Sequence, residues 1–465
     1  MKTVNLTPTV ENLVKAFEDN KKLLSHFDNP YINSLRSEAI KKFSKQGFPT
    51  AKDEDWKNTD ISESLNNNFN ILLDVEDEPI DVQKLFKCEI NNFETYLFSL
   101  FNGWYVYKNK IITHFSNGVI VGSLAEAIKS HSRIIDEHFG KYADCNINGL
   151  ISLNTAFSQD GVFIYVPDNV VVEMPFQIVN LVDSDDNIFV NTRNLIILGK
   201  NSSIKLIHCD DSVRHSLHFV NTVTEIYLDE NAEIDYYKLQ NKDSKSSLIN
   251  STFFKQENNS RILSNIITLN GGVIRNNSYV EISGKGCQSD LYGLYLVDGK
   301  QHIDNQVYID HKSSDSGSYE LYKGIVDEEA SAVFNGHIIV RPDAQRTIAY
   351  QTNRNILMTD TAKVNTKPFL EISADDVKCS HGASVGQLDN EAMFYLRARG
   401  LCERNAKMLL MYAFAAEVVN KIKIDALKER IDNMVMRRLK GELSICDQCI
   451  LHCSNEKTFD FDIKI

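Results

Sequence analysis

The signatures of the common nucleotide-using and bond-cleaving enzymes are missing from this chain. No G-x-x-x-x-G-K-S/T is present, which argues against ATP hydrolysis through a P-loop and against a nucleotide of its own. H-E-x-x-H, G-x-S-x-G and G-x-G-x-x-G are missing too, and Gly284-Lys285-Gly286 reads as a turn. These absences favour a non-catalytic role. A basic surplus is lacking as well: the net charge of −13 argues against a general nucleic-acid binder, which needs a positive face. The longest apolar run, Met408 to Ala416, is too short for a bilayer and is followed by Glu417, so no membrane role is expected. Glu11, Glu18 and Asp19 interrupt the first apolar stretch, so no signal peptide is expected. Nine cysteines, an odd number without a secretion signal, point to free thiols in a reducing, cytoplasmic setting.

What is present divides by period. The chain's 465 residues allow a large core and two or three structural units. Up to about residue 70 the chain reads as helical. Leu13, Phe17, Leu23, Leu24 and Phe27 recur at helical spacing, and after the Asn29-Pro30 break so do Ile32, Leu35, Ala39, Ile40 and Phe43. Trp56, one of only two tryptophans, reads as a core anchor of this helical unit, with a binding role as the alternative. The asparagines at 66–70 and the acidic stretch 74–81 read as a solvated connector.

From about residue 110 the period becomes two. VFIYV, FQIVNLV, NLIILG, SIKLIH, TEIYL and EIDYYKL are β-rich runs separated by Asp, Asn, Gly and Ser. A module of polar residues around one small residue precedes many of them, with Ser202, Ala232, Ser260, Cys287, Ala330 and Ala362 as the small residues. Their spacing is roughly 27 to 32 residues, with one longer gap before Ala330, as stacked coils require. The fold expected is mainly β: a right-handed parallel β-helix core flanked by N-terminal and C-terminal helical domains. A β-sandwich is the rival, with more regular hairpin turns. The expected units are 1–110 (helical domain and connector), 111–378 (β-helix), 379–445 (C-terminal helical domain) and 446–465 (a cysteine-containing tail).

The stretch DDVKCSHGASVGQLDNEAMFYLRARGL, Asp375 to Leu401, holds the leading candidates for chemistry. Cys379 and His381 share one side of an extended segment, so both can face one metal or one partner. A packed thiol beside a surface histidine is the plainer alternative. Gly382 and Gly386 are read as a sharp turn, Asp389 as an N-cap and Gly400 as a helix stop. Beyond it, Ala406, Leu409, Leu410, Ala413, Phe414 and Val418 form an apolar face interrupted at Glu417. Leu427, Ile431, Met434 and Val435 form another on the next helix.

The run CSHGASVGQLDNEAMFYLRARG resembles the C-terminal hallmark of the SufD family, scaffold subunits of the SUF iron–sulfur cluster assembly machinery. Phe334 to Ile372 and GFPTAKDEDWKNTDI, Gly47 to Ile61, are similar to that family as well. SufB-like chains usually carry Glu after the equivalent histidine, where this chain has Gly382. The resemblance implies a scaffold without catalysis of its own, paired through its β-helix with the paralogue SufB. Iron or an iron–sulfur cluster would then be held transiently at that interface. It implies His381 as the interface histidine, with Cys379 beside it. It also implies docking of the SufC ATPase on the C-terminal helical unit, around Phe394, Tyr395, Arg397 and Arg399, and an ATP-driven twist that exposes the interface. Core packing for the two aromatics and salt bridges for the two arginines are the alternatives. In isolation such a chain is expected to pair with itself.

Cys446, Cys449 and Cys453, with His452, have a spacing that can bind zinc or a cluster, although a tail of reactive thiols is the simpler alternative. Cys88, Cys145, Cys209 and Cys402 read as buried thiols, and His208, His215 and His218 as neighbours split by a charged turn. Two further functions fit a β-helix: a carbohydrate-active enzyme, by fold alone, and a purely structural homodimer.

Overall fold

Apolar and β-branched residues crowd the stretch from Val162 to Gly386, and each short turn returns the chain to begin a strand above the one laid down two strands earlier. The computed structural model describes residues 2–24, 29–74, 93–106, 110–212 and 216–441. Ser203–Ser212 pairs in parallel with Phe176–Val182 below and Glu233–Asn241 above. The intervening strand, His218–Leu228, pairs in parallel with Ile188–Leu198 and Ser247–Gln256. Successive strands thus alternate between two sheets, of ten and twelve strands. The result is a parallel β-solenoid, and the parallel pairing excludes the sandwich.

The corners explain the repeated module. Asn201, Asn231, Asn259 and Gly286 have φ of 54°, 58°, 57° and 70°. This is the left-handed region that Asn and Gly tolerate best. Each directly precedes one of the buried small residues Ser202, Ala232, Ser260 and Cys287. Successive corners touch: Cys287 Sγ lies 3.7 Å from Ser260 Oγ. Ala330 and Ala362 are also buried, but they lead into strands of the other sheet. The longer gap before Ala330 is where the expected repeat crosses from one corner of the coil to the other. Ser316, buried behind Asp315 (φ 64°), continues the first corner and escaped the pattern.

The N-terminal unit packs on the outer face of the twelve-stranded sheet. Thr9 and Asn29 cap the helices Val10–Asp19 and Pro30–Gln46, each accepting a backbone N–H at 3.2 Å. Leu13, Phe17, Ile40, Phe43 and Trp56 join Phe157, Phe189 and Phe219 in one core. The expectation of helix throughout 1–70 needs correction. Lys2–Leu6 and Phe69–Asp74 form an antiparallel strand pair, so part of the expected connector is sheet.

The C-terminal helices Glu403–Val419 and Asp425–Leu439 lie on the outer face of the ten-stranded sheet. Val418, Leu427, Ile431, Met434 and Val435 pack there with Val179, Ile207, Tyr237 and Leu294. Glu417, the break in the expected apolar face, reaches the buried Lys323 of that sheet. Asn265 Nδ2 donates to the Val418 carbonyl (3.1 Å) and Arg438 to the Leu269 carbonyl (2.8 Å). Among the described residues no helix is long and apolar enough to cross a membrane.

Candidate functional site

Both sheets stop at the same end of the solenoid. Lys378–Gly386 pairs with Ile348–Leu357, and Lys363–Ile372 with Ser331–Val340; these two strands are the terminal members of their sheets. Among the described residues nothing pairs with the outer side of either, so each presents a row of unpaired backbone groups. Ile348, Tyr350, Phe369, Ile372 and Val385 are exposed around this last rung. The expected turn at Gly382 and Gly386 is not formed. Both lie within the straight strand, and a Cβ at either would meet nothing within 4 Å. The boundary expected at 378 also moves, since the solenoid runs on to Gly386.

Register assigns the inward file of this strand. Cys379 stands over Ala349, His381 over Gln351, Ala383 over Asn353 and Val385 over Asn355. The four lower residues are all buried, so the upper four look into the open mouth of the coil. Cys379 is half-buried against the solenoid core, and that burial pushes its thiol up from its ordinary range. His381 is exposed. A thiol and an imidazole, soft and borderline donors, thus stand next to each other on the same side of one strand. Both types suit iron and iron–sulfur clusters. Among the described residues no group of three or more His, Cys, Asp or Glu side chains is arranged to hold a metal ion. Two such donors make up at most half of an iron site.

Asp389 caps the helix that follows, its carboxylate accepting the N–H groups of Glu391 (2.8 Å) and Ala392 (3.2 Å). The helix Asn390–Ala398 buries none of its residues. Phe394 is 76% exposed and Tyr395 56%, which rules out core packing for the aromatic pair. The Arg399 guanidinium lies 5.2 Å over the Tyr395 ring, and Arg397 lines a cleft of about 680 Å³ with Leu357, Met358, Met393 and Phe394. An unburied helix with two exposed aromatics and two arginines has the composition of a contact surface.

The segment Gly47 to Ile61 is part of the same assembly. The Arg275 guanidinium lies 3.8 Å over the Trp56 ring and donates to the Asp55 carbonyl (2.7 Å). Thr59 Oγ1 donates to Asp304 (2.6 Å) and lies 2.9 Å from His302 Nε2. Glu54 reaches Lys367 on the terminal strand at 2.7 Å. Trp56 therefore anchors the N-terminal unit to the solenoid, as well as filling its own core.

Other expected sites separate. Cys145 and Cys209 are buried, but Cys402 is exposed at the start of Glu403–Val419, contrary to expectation, because that helix turns its other face to the sheet. His208 is enclosed beside Tyr236 (3.0 Å) and His218 beside Ser216 (3.0 Å). His215, Cys88 and the Cys446/Cys449/Cys453 tail lie outside the described residues. Gln351 and Glu320, directly beneath His381, were missed from sequence. Only strand register places them there.

Fold and site together define a class: a parallel β-solenoid flanked by helices, with a thiol and an imidazole on the terminal strand of one sheet. Residues 180–414 match the SUF system FeS cluster assembly, SufBD core domain, and residues 8–178 the SufBD protein N-terminal region. The chain belongs to the SufBD family, and its role lies in iron–sulfur cluster assembly. It is 28% identical over 438 residues to an iron–sulfur cluster assembly SufBD family protein of Synechocystis, covering 92% of this chain and 96% of that protein. It is 27% identical to the iron–sulfur cluster assembly protein SufD of Escherichia coli, covering 86% of this chain and 92% of that one. To SufD of Bacillus subtilis it is also 27% identical, covering 92% and 98%.

Proposed function

We propose that this chain is a SufD-type scaffold of the cytoplasm, without catalysis of its own, that offers half a coordination sphere to a sister subunit. The observation that carries this reading is the placing of Cys379 and His381 on the inward side of a strand that, among the described residues, has no neighbour above it. A SufB-type paralogue continues the sheets across the open rung by main-chain pairing. Its own ligands and the Cys379–His381 pair then enclose iron or a nascent iron–sulfur cluster, which is cargo that leaves with the product. Without the paralogue, the same open edge suits pairing with a second copy of this chain.

The SufC ATPase docks on Asn390–Ala398 through Phe394, Tyr395, Arg397 and Arg399. That helix joins the terminal strand to helices fixed on the ten-stranded sheet, so a pull on it is delivered to the strand bearing His381. The test is His381→Ala in the reconstituted complex with SufB-type and SufC-type partners. Cluster formation is expected to fall at least about tenfold, in the range seen when metal-site residues are removed. Undiminished assembly contradicts the assignment.

A further inference from the structure

Beneath His381 the inward file of the ten-stranded sheet carries Gln351 and then Glu320, each in register one rung lower. Rungs of a parallel sheet are about 4.8 Å apart, so neighbouring side chains in such a file are within reach of one another. Gln351 is 1% exposed and Glu320 0%. Gln351 Nε2 donates to Glu320 Oε2 at 2.9 Å, which sets the sense of the amide; among the described residues neither Gln351 Oε1 nor Glu320 Oε1 has a hydrogen-bond partner. Space for that amide comes from Gly336 on the facing sheet, where a Cβ would run into it. Burial holds the Glu320 carboxyl up at about 8, so at pH 7 it is neutral, its proton on Oε1, which makes no hydrogen bond among the described residues, while Oε2 accepts from Gln351. A buried amide oxygen left unpaired costs on the order of 1–3 kcal/mol. The next side chain up the file is an imidazole, whose ring offers an N–H.

We propose that Gln351 is a positioning residue for His381. Its Oε1 accepts one imidazole N–H, which leaves the lone pair of the other ring nitrogen facing the open rung, and Glu320 keeps the amide turned the right way. Histidines that bind metals commonly donate their second ring N–H to such an oxygen, which fixes both tautomer and ring orientation. The inference rests on reading His381 as a metal-facing group, but it concerns the ring before any metal arrives.

The full chain, labelled with 15N at histidine, reports the tautomer of His381 from its ring nitrogen shifts, assigned by their loss in His381→Ala. The wild-type tautomer ratio is expected to differ from that of a freely solvated histidine by at least about threefold, as one ordinary hydrogen bond gives. Gln351→Leu should return it to the solvated ratio, while Cys379→Ser leaves it unchanged. Glu320→Leu serves should Gln351→Leu fail to fold. It removes the acceptor that holds Gln351 Nε2, so the amide is free to turn and the ratio should again move toward the solvated value. A wild-type ratio equal to the solvated one, or a ratio that neither substitution moves, overturns the proposal. A free ring together with lost assembly in His381→Ala rejects Gln351's role and keeps the ligand reading; a pinned ring with undiminished assembly does the reverse.

Discussion

The Arg275 guanidinium lies 3.8 Å over the ring of Trp56, joining the N-terminal unit to the outer face of the twelve-stranded sheet. Arg275 also pairs with Asp304, which accepts from Thr59, so one buried network ties three parts of the chain together. Trp56→Ala removes a large buried ring and leaves the guanidinium without its stacking partner. A loss of about 3–5 kcal/mol is expected from the cavity. Urea denaturation measures it, and limited proteolysis should cut first within the detached N-terminal unit.

Lys323 and Glu417 form the corresponding link on the other sheet. The Lys323 side chain is 4% exposed, and its ammonium also touches the Phe414 carbonyl at 3.1 Å. Removing one partner of such a pair leaves a buried charge, whereas removing both does not. Glu417→Ala alone is expected to destabilise by about 2–4 kcal/mol, and Lys323→Met with Glu417→Leu by clearly less. Thermal unfolding of the three chains side by side decides this.

Glu320 gives the protein a pH dependence of known sign. Its folded carboxyl titrates at about 8, against an ordinary 4.5, because burial disfavours its charge despite the Gln351 hydrogen bond. Between those values the folded state keeps a proton that the unfolded state has lost. The group's contribution to stability is therefore full below about pH 4.5 and is lost as pH rises through about 8. Glu320→Gln removes this term. Relative to wild type it should gain roughly 1–3 kcal/mol between pH 5 and pH 9, read from urea midpoints. An unchanged difference across that range contradicts the assignment.

Phe394 and Tyr395 are exposed on a helix that buries none of its residues, with only the exposed Arg399 over the Tyr395 ring. The double substitution to Ala should alter stability by no more than about 0.5 kcal/mol. Binding of the SufC-type ATPase should weaken at least about 30-fold, as loss of exposed aromatic anchors does at protein interfaces. Calorimetric titration with the purified ATPase checks both halves, with a melting curve as control.

Much of this was legible in the chain because a solenoid repeats its local rules. Asn201, Asn231 and Asn259 before small corner residues announce a coil, and period-two runs announce its strands. Where the rule is non-local, the sequence is silent. Lys2–Leu6 is a strand only because Phe69–Asp74, far along the chain, pairs with it. The jump from Cys287 to Ala330 hid a change of corner, since Ser316 sits among serines that look like any loop. Cys379 and His381 were visible as a pair, but glycines that read as a turn lie in an extended edge strand, where nothing presses on them. Nothing in the sequence singles out Glu320 and Gln351. Register alone reveals that they stand inside, in line with His381.

The open rung is the centre of this account, and amide hydrogen exchange reads it directly. The full chain is exchanged alone and with its purified SufB-type paralogue, and peptides covering Lys363–Ile372 and Lys378–Gly386 are followed. Exchange in both should slow at least about tenfold when the paralogue is added, while the buried inner strand His302–His311 stays unchanged. If the two proteins bind and these terminal strands exchange as fast as before, the paralogue sits elsewhere and His381 faces no partner.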